Sequence, residues 1–147
     1  MNIKTVEQLD DALSQPPEWL VESLAQVDGD ILILGVAGKM GPTLARMARR
    51  ASDQAGIDRR VIGVARFSKA GEQRKLQGWG IETIKADLLD EQAVAGLPDA
   101  PNIVFMAGMK FGSTGGEAMT WAMNAVVPVI VASRYRDCRI AVFSTGN

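Results

Sequence analysis

The sequence predicts an α/β fold in which helices wind both faces of a parallel sheet, and three observations point to it. Five short aliphatic segments, at residues 31–34, 60–65, 81–86, 102–107 and 139–143, alternate with stretches of helical pattern, the arrangement that βαβ units require. The first of them, Ile31-Leu-Ile-Leu34, shows no polar alternation, as expected of a strand covered on both faces. Gly35, Gly38 and Gly41 follow at three-residue spacing and open a helical stretch. A chain without Cβ atoms can there turn tightly, approach a phosphate closely and pack a helix hard against its strand. The predicted fold is therefore Rossmann-like, a doubly wound parallel sheet with right-handed crossovers. It is cut short after its fifth strand and preceded by a short helical extension over residues 1–29.

In chain order, Thr5 is placed to cap a helix over residues 6–13, and Pro16-Pro17 breaks it and starts a second over 18–27. Leu20, Val21, Leu24 and Val27 share one face of that second helix, which reads as a cover packed on the sheet. Asp28-Gly29-Asp30 turns the chain into the first strand. The helix after the glycine triplet ends in the stretch 51–56, and the second strand covers 60–65. A helix over 70–77 stops at Gly78-Trp-Gly80, the third strand covers 81–86, and 90–96 is a short helix. The fourth strand covers 102–107 and leads into a glycine-rich loop over 108–116. A largely apolar helix over 117–134, kinked by Pro128, precedes the fifth strand at 139–143.

At 147 residues the chain is long enough to bury one core and short for a two-lobed enzyme. Its 16 basic and 17 acidic residues leave a net charge of −1, which gives neither nucleic acid nor a membrane surface a reason to bind. The single cysteine, Cys138, allows no intrachain disulfide and fits a reducing compartment. With no histidine, Ser-His-Asp or Cys-His catalysis and imidazole zinc sites are excluded within this chain. The start is polar and acidic, unlike a signal peptide, and no stretch approaches the roughly 20 apolar residues of a membrane span. The expectation is a soluble, cytoplasmic protein.

The chemistry is expected at the glycine turn. Gly35, Gly38, Lys39, Met40 and Gly41 form a candidate pyrophosphate cradle, with the free amides and positive dipole end of the next helix aimed into it. At the end of the second strand, an acidic residue would bond a ribose 2′-hydroxyl and repel a 2′-phosphate. The chain instead has Ala65-Arg66-Phe67-Ser68-Lys69. Two cations and a hydroxyl favour NADP over NAD as the cofactor, although Arg66 and Lys69 also read as ordinary solvated cations. Residues 30–147 are therefore expected to form an NAD(P)-binding domain, incomplete because the predicted sheet stops after its fifth strand.

The chain resembles the extended short-chain dehydrogenase/reductases, the NAD-dependent epimerase/dehydratase family. The resemblance rests on Gly35-x-x-Gly38-x-x-Gly41, Gly80-Ile-Glu-Thr-Ile-Lys-Ala-Asp87-Leu-Leu-Asp90, Val104-Phe-Met-Ala107-Gly108, Asn124 in the following helix, and Val142-Phe-Ser-Thr-Gly-Asn147, in the family's order and spacing. It implies that Asp87 and Leu88 contact the adenine, that Ala107 and Gly108 line the nicotinamide side, and that Asn124 is a structural asparagine. Read from its own neighbours, Asp87 is equally a turn cap. Ser144 and Thr145 fall where the family carries its catalytic serine or threonine, and the alignment of the strand-end motif favours Thr145. The implied activity is that of an oxidoreductase acting on a nucleotide sugar or a similar carbonyl or hydroxyl compound.

One departure matters. The family's Tyr-x-x-x-Lys pair is absent, since the only tyrosine, Tyr135, precedes the fifth strand and is followed four places on by Arg139. Without a phenol to handle the proton, this chain alone should not turn over. The fifth strand at 139–143 and the apolar face at 126–132 would be left uncovered, which predicts a homo-oligomer. Two other readings stand beside this one. The turn Gly35-Val-Ala-Gly-Lys-Met-Gly41 is similar to that of dihydrodipicolinate reductases, and the lost catalytic pair also suits a non-catalytic, redox-sensing dinucleotide module.

Overall fold

The computed structural model describes residues 2–110 and 116–143. Strands β1 (Ile31–Leu34), β2 (Val61–Ala65), β3 (Glu82–Lys85), β4 (Asn102–Phe105) and β5 (Arg139–Val142) form one sheet in the order β3-β2-β1-β4-β5. Every pairing is parallel, so the α/β, doubly wound reading holds. All residues of β1 and β2 are buried, because hydrocarbon side chains from both faces of these strands meet helices. On one face, Ile31, Ile33 and Val61 pack with Ala45 of helix α3 (Gly41–Gln54) and Leu76 of α4 (Glu72–Gln77). On the other, Leu32, Leu34, Ile62 and Val64 pack with Val94 of α5 (Glu91–Ala95) and with Val127 and Val131 of α7 (Val127–Arg134). Gly63 sits in β2 because Val36 lies over it; a Cβ there would come within 2.8 Å of Val36 Cγ1.

The extension consists of α1 (Val6–Leu13) and α2 (Glu18–Ala25). Thr5 caps α1 as expected, its hydroxyl accepting from the Gln8 amide at 3.2 Å. The position of α2 differs from the expectation. Leu20, Val21, Leu24 and Val27 are only partly buried; α1 and α2 both lie against α3, and Leu24 alone of the four joins the core cluster of the sheet. Polar contacts fix this cover. The buried Arg59 donates to the carbonyls of Leu24 at 2.7 Å and Val27 at 2.6 Å, satisfying the end of α2.

Helix α1 is attached by its acidic side. Asp11 pairs with Arg46 at 3.3 Å and Arg50 at 2.5 Å on α3, and Asp10 pairs with Lys75 on α4. The guanidinium of Arg46 and the ammonium of Lys75 both lie over the Trp79 ring, 4.5 and 4.9 Å from its centroid. Hydrogen bonding from Arg50, above all, holds the Asp11 carboxyl below its ordinary value of 3.8. A carboxyl whose folded pKa is depressed adds stability that is complete above the unfolded pKa and fades as the pH falls through the folded one. The hold of α1 on α3 should therefore be complete at neutral pH and be lost only in acid below 3.8. Thermal melts should show Asp11→Asn less stable than the native chain at pH 7, with the gap closing at the acid end.

The helix predicted over 117–134 runs as α6 (Glu117–Trp121), a π-helical turn (Ala122–Val126) and α7. Pro128 lies in the first turn of α7, where its missing N–H costs least. The expected proline kink is therefore a widened turn just before it, at positions 122–126. At the far edge of the sheet, Val142 and Phe143 are exposed, as are Val126 and Val129 of the helix beside it. No helix among the described residues is long and apolar enough to cross a membrane.

Candidate functional site

Strand β1 pairs with β2 on one side and β4 on the other, so the chain reverses its winding at that point. In an open parallel sheet, ligands bind where the order reverses, at the carboxyl ends of the strands. Here a cleft of about 240 Å³ opens between the β1 turn and the ends of β2, β3 and β4.

The three glycines of the turn serve different ends. Gly35 has φ +87°, and a Cβ there would lie 2.7 Å from the Ala107 amide nitrogen. Only glycine accepts both the left-handed backbone and that closeness of β4. Gly41 begins α3, and its Cβ would lie 2.1 Å from the Val36 carbonyl oxygen, so it seats the helix on the strand. At Gly38, a Cβ would meet nothing closer than the Gly35 carbonyl oxygen, at 3.3 Å. That contact is tight but needs only a few tenths of an ångström of give, unlike those at Gly35 and Gly41, and the backbone at Gly38 is exposed. No side chain caps the start of α3, so its positive dipole end stays open to an anion.

Of the residues singled out from the sequence, Gly35, Gly38, Arg66, Asp87, Leu88, Ala107 and Gly108 line this cleft together. Lys39 lines a second cleft of about 450 Å³, which shares Ala37 and Gly38 with the first. Met40 is exposed and Gly41 buried, and neither lines either of these two clefts. Ser144 and Thr145 lie outside the described residues.

Asp87 is a turn cap, the reading made from its own neighbours, and it also lines the cleft. Its Oδ1 accepts from the Leu89 amide at 3.1 Å as a turn cap, while Oδ2 stands 4.0 Å from Arg66 Nη1. A carboxylate is thus present beside Arg66 after all, delivered by β3 rather than by β2. Phe67, next to Arg66, has φ 47°, a left-handed conformation unusual for an aromatic residue. It turns the chain at the cleft wall, which Phe67 and Ser68 both line. At the other end, Asn124 clamps the chain after β4: its Oδ1 accepts from the Met109 amide at 2.8 Å and its Nδ2 donates to the Met109 carbonyl at 2.7 Å. Sequence reading missed Met106 and Met123, which give this end apolar walls; only their positions, beside Ala107 and Asn124, carried a signal.

Tyr135 is nearly fully buried, and its hydroxyl donates to the Pro98 carbonyl at 3.0 Å. Burial pushes its pKa up. Pro98 precedes β4 and Tyr135 precedes β5, so the pair lies at the opposite end of the sheet from the cleft and takes no part in its chemistry. Among the described residues, no group of three or more acidic or cysteine side chains could hold a metal ion.

The family model for NAD dependent epimerase/dehydratases matches residues 31–146, the whole sheet and every wall of the cleft. The chain belongs to the NAD-dependent epimerase/dehydratase family. Its fold is similar to that of an epimerase, Mth375, from the methanogen Methanothermobacter thermautotrophicus, with a TM-score of 0.64 at 18% identity. That alignment covers 84% of this chain and 36% of the epimerase, so this epimerase/dehydratase chain spans about a third of the relative's length. Comparison with curated protein sequences gave no match. The family name gives a nicotinamide dinucleotide as cofactor, and the helical extension before Ile31 lies outside the matched residues.

Proposed function

We propose that this chain is the NADP-binding portion of an epimerase/dehydratase-type oxidoreductase acting on a nucleotide sugar or a similar carbonyl or hydroxyl compound. The observation that carries the cofactor reading is Gly38, the glycine of the turn whose missing side chain leaves space rather than relieving a packing clash. A pyrophosphate fits there, with the open start of α3 facing it. Asp87 and Leu88 would border the adenine, and Ala107 and Gly108 the nicotinamide, with Asn124 holding that end of the cleft in shape. When bound, the cofactor supplies the hydride chemistry; this chain binds it, orients it and shields one side. Thr145 is the residue proposed to touch substrate.

NADP is favoured over NAD because Arg66, Ser68 and Lys69 gather at the end of β2. Asp87, at 4.0 Å, offsets part of the Arg66 charge, but an exposed pair at that distance is worth well under about 1 kcal/mol. A dianionic 2′-phosphate easily outcompetes it. Titration calorimetry should show tighter binding of NADPH than NADH, and Arg66→Ala should cut that preference about tenfold, the effect of one charge-assisted contact of about 1.4 kcal/mol. Equal affinities in the native chain would sink the 2′-phosphate reading. The exposed Val126, Val129, Val142 and Phe143 support self-association along this edge of the molecule.

A further inference from the structure

The helical extension lies outside the family match, yet one of its side chains reaches a lysine of the second cleft. Three lysines line that cleft, and they differ in how committed they are. Lys39 makes no ion pair or hydrogen bond to a described residue. Lys69 has only a loose contact, 3.9 Å from Glu72, with 81% of its side chain exposed. Lys75 is held: it pairs with Asp10 of α1, whose side chain is only 15% exposed, and rests over Trp79. Asp10 in turn is fixed in place, because its neighbour Asp11 ties α1 to Arg46 and Arg50.

The second cleft shares Ala37 and Gly38 with the cofactor cleft, and Lys69 follows Arg66 and Ser68 by a short step of chain. A phosphate on the 2′-oxygen of an adenosine ribose at the end of β2 would therefore face both clefts. We propose that the N-terminal extension tunes the phosphate selectivity of the cofactor site: Asp10 withholds Lys75 from the 2′-phosphate and leaves Arg66, Lys39 and Lys69 to receive it. This inference rests on the NADP reading above and adds a residue from outside the family's matched segment to it. Removing the Asp10 charge should free a cation within reach of the phosphate, so the predicted change is a gain of affinity, which a loosened fold would not produce.

The test is titration calorimetry of NADPH and NADH against the full chain, as the native protein, Asp10→Asn, Lys75→Ala and the double variant. Asp10→Asn should bind NADPH about three- to tenfold more tightly, the range for one partly exposed charge, and leave NADH within about twofold, since NADH lacks the 2′-phosphate that the freed charge would meet. In the Lys75→Ala background the same substitution should bring no gain, because the cation it frees is gone. Unchanged or weaker NADPH binding by Asp10→Asn overturns the inference, as does a gain that survives Lys75→Ala or appears equally for NADH. A gain for inorganic phosphate titrated alone, without one for NADPH, also overturns it, since the seat would then serve a free phosphate. Native preference for NADPH with no Asp10→Asn effect leaves the NADP reading standing and defeats only this inference, whereas equal native affinities defeat both.

Discussion

Gly41→Ala should cost about 3 kcal/mol of folding stability and lower the melting temperature by about 10 °C. Helix propensity alone argues the other way, since Gly→Ala within a helix gains up to ~1 kcal/mol. The contact decides the sign. The new Cβ would stand 2.1 Å from the Val36 carbonyl oxygen and 2.6 Å from its carbonyl carbon, and both are main-chain atoms that no rotamer change can move aside. Relief requires lifting α3 off β1, which also opens the packing of Ala45 on Ile31 and Ile33. A melt of Gly41→Ala within about 3 °C of the native chain would mean the helix tolerates that shift without loss.

Gly38→Val should do the reverse, abolishing dinucleotide binding while leaving the fold in place. The Cβ meets only the Gly35 carbonyl oxygen, at 3.3 Å, a contact that a small adjustment relieves, so the melting temperature should move by less than about 3 °C. The branched side chain then fills the space the pyrophosphate needs. A loss of at least about 100-fold in affinity, or about 2.7 kcal/mol, is expected by calorimetry for NADPH and NADH alike. Retained affinity would place the pyrophosphate elsewhere. These two outcomes together would separate two glycines three residues apart, one needed for packing and one for the ligand proposed above.

Much of this architecture could be read from the chain. Continuous aliphatic runs such as Ile31-Leu-Ile-Leu34 are buried on both faces, so they signal strands without help from their partners. Thr5 capping α1 and the glycine turn between β1 and α3 are local chemistry, and both stood where expected. Asn124 was singled out only through the family resemblance, and its two bonds to Met109 give it a structural part. What escaped the sequence depends on pairs far apart in the chain. Nothing near Asp10 or Asp11 names Lys75 or Arg50 as partners, and α2, which lies against α3, is held at its end by Arg59, a neighbour only on folding. The carboxylate beside Arg66 was missed for the same reason: Asp87 arrives from a different strand. The widened turn at Ala122–Val126 carries Asn124, which bonds Met109, and ends just before Pro128, a local break that periodicity does not record.

The central position of β1 also bears on how the molecule comes into being. Its partner β2 begins about 30 residues downstream and its partner β4 about 70. During synthesis at about 5–20 residues per second, β1, β2 and β3 emerge together and can zip with α3 and α4 while β4 and β5 are still to be made. The glycine turn between β1 and α3 is therefore built first, on the early half. It is completed only when β4 slides in on the open side of β1 and brings Ala107 against Gly35. Until then β1 presents a bare aliphatic edge to the cell, and early capture of that edge by another nascent chain is the hazard this strand order carries.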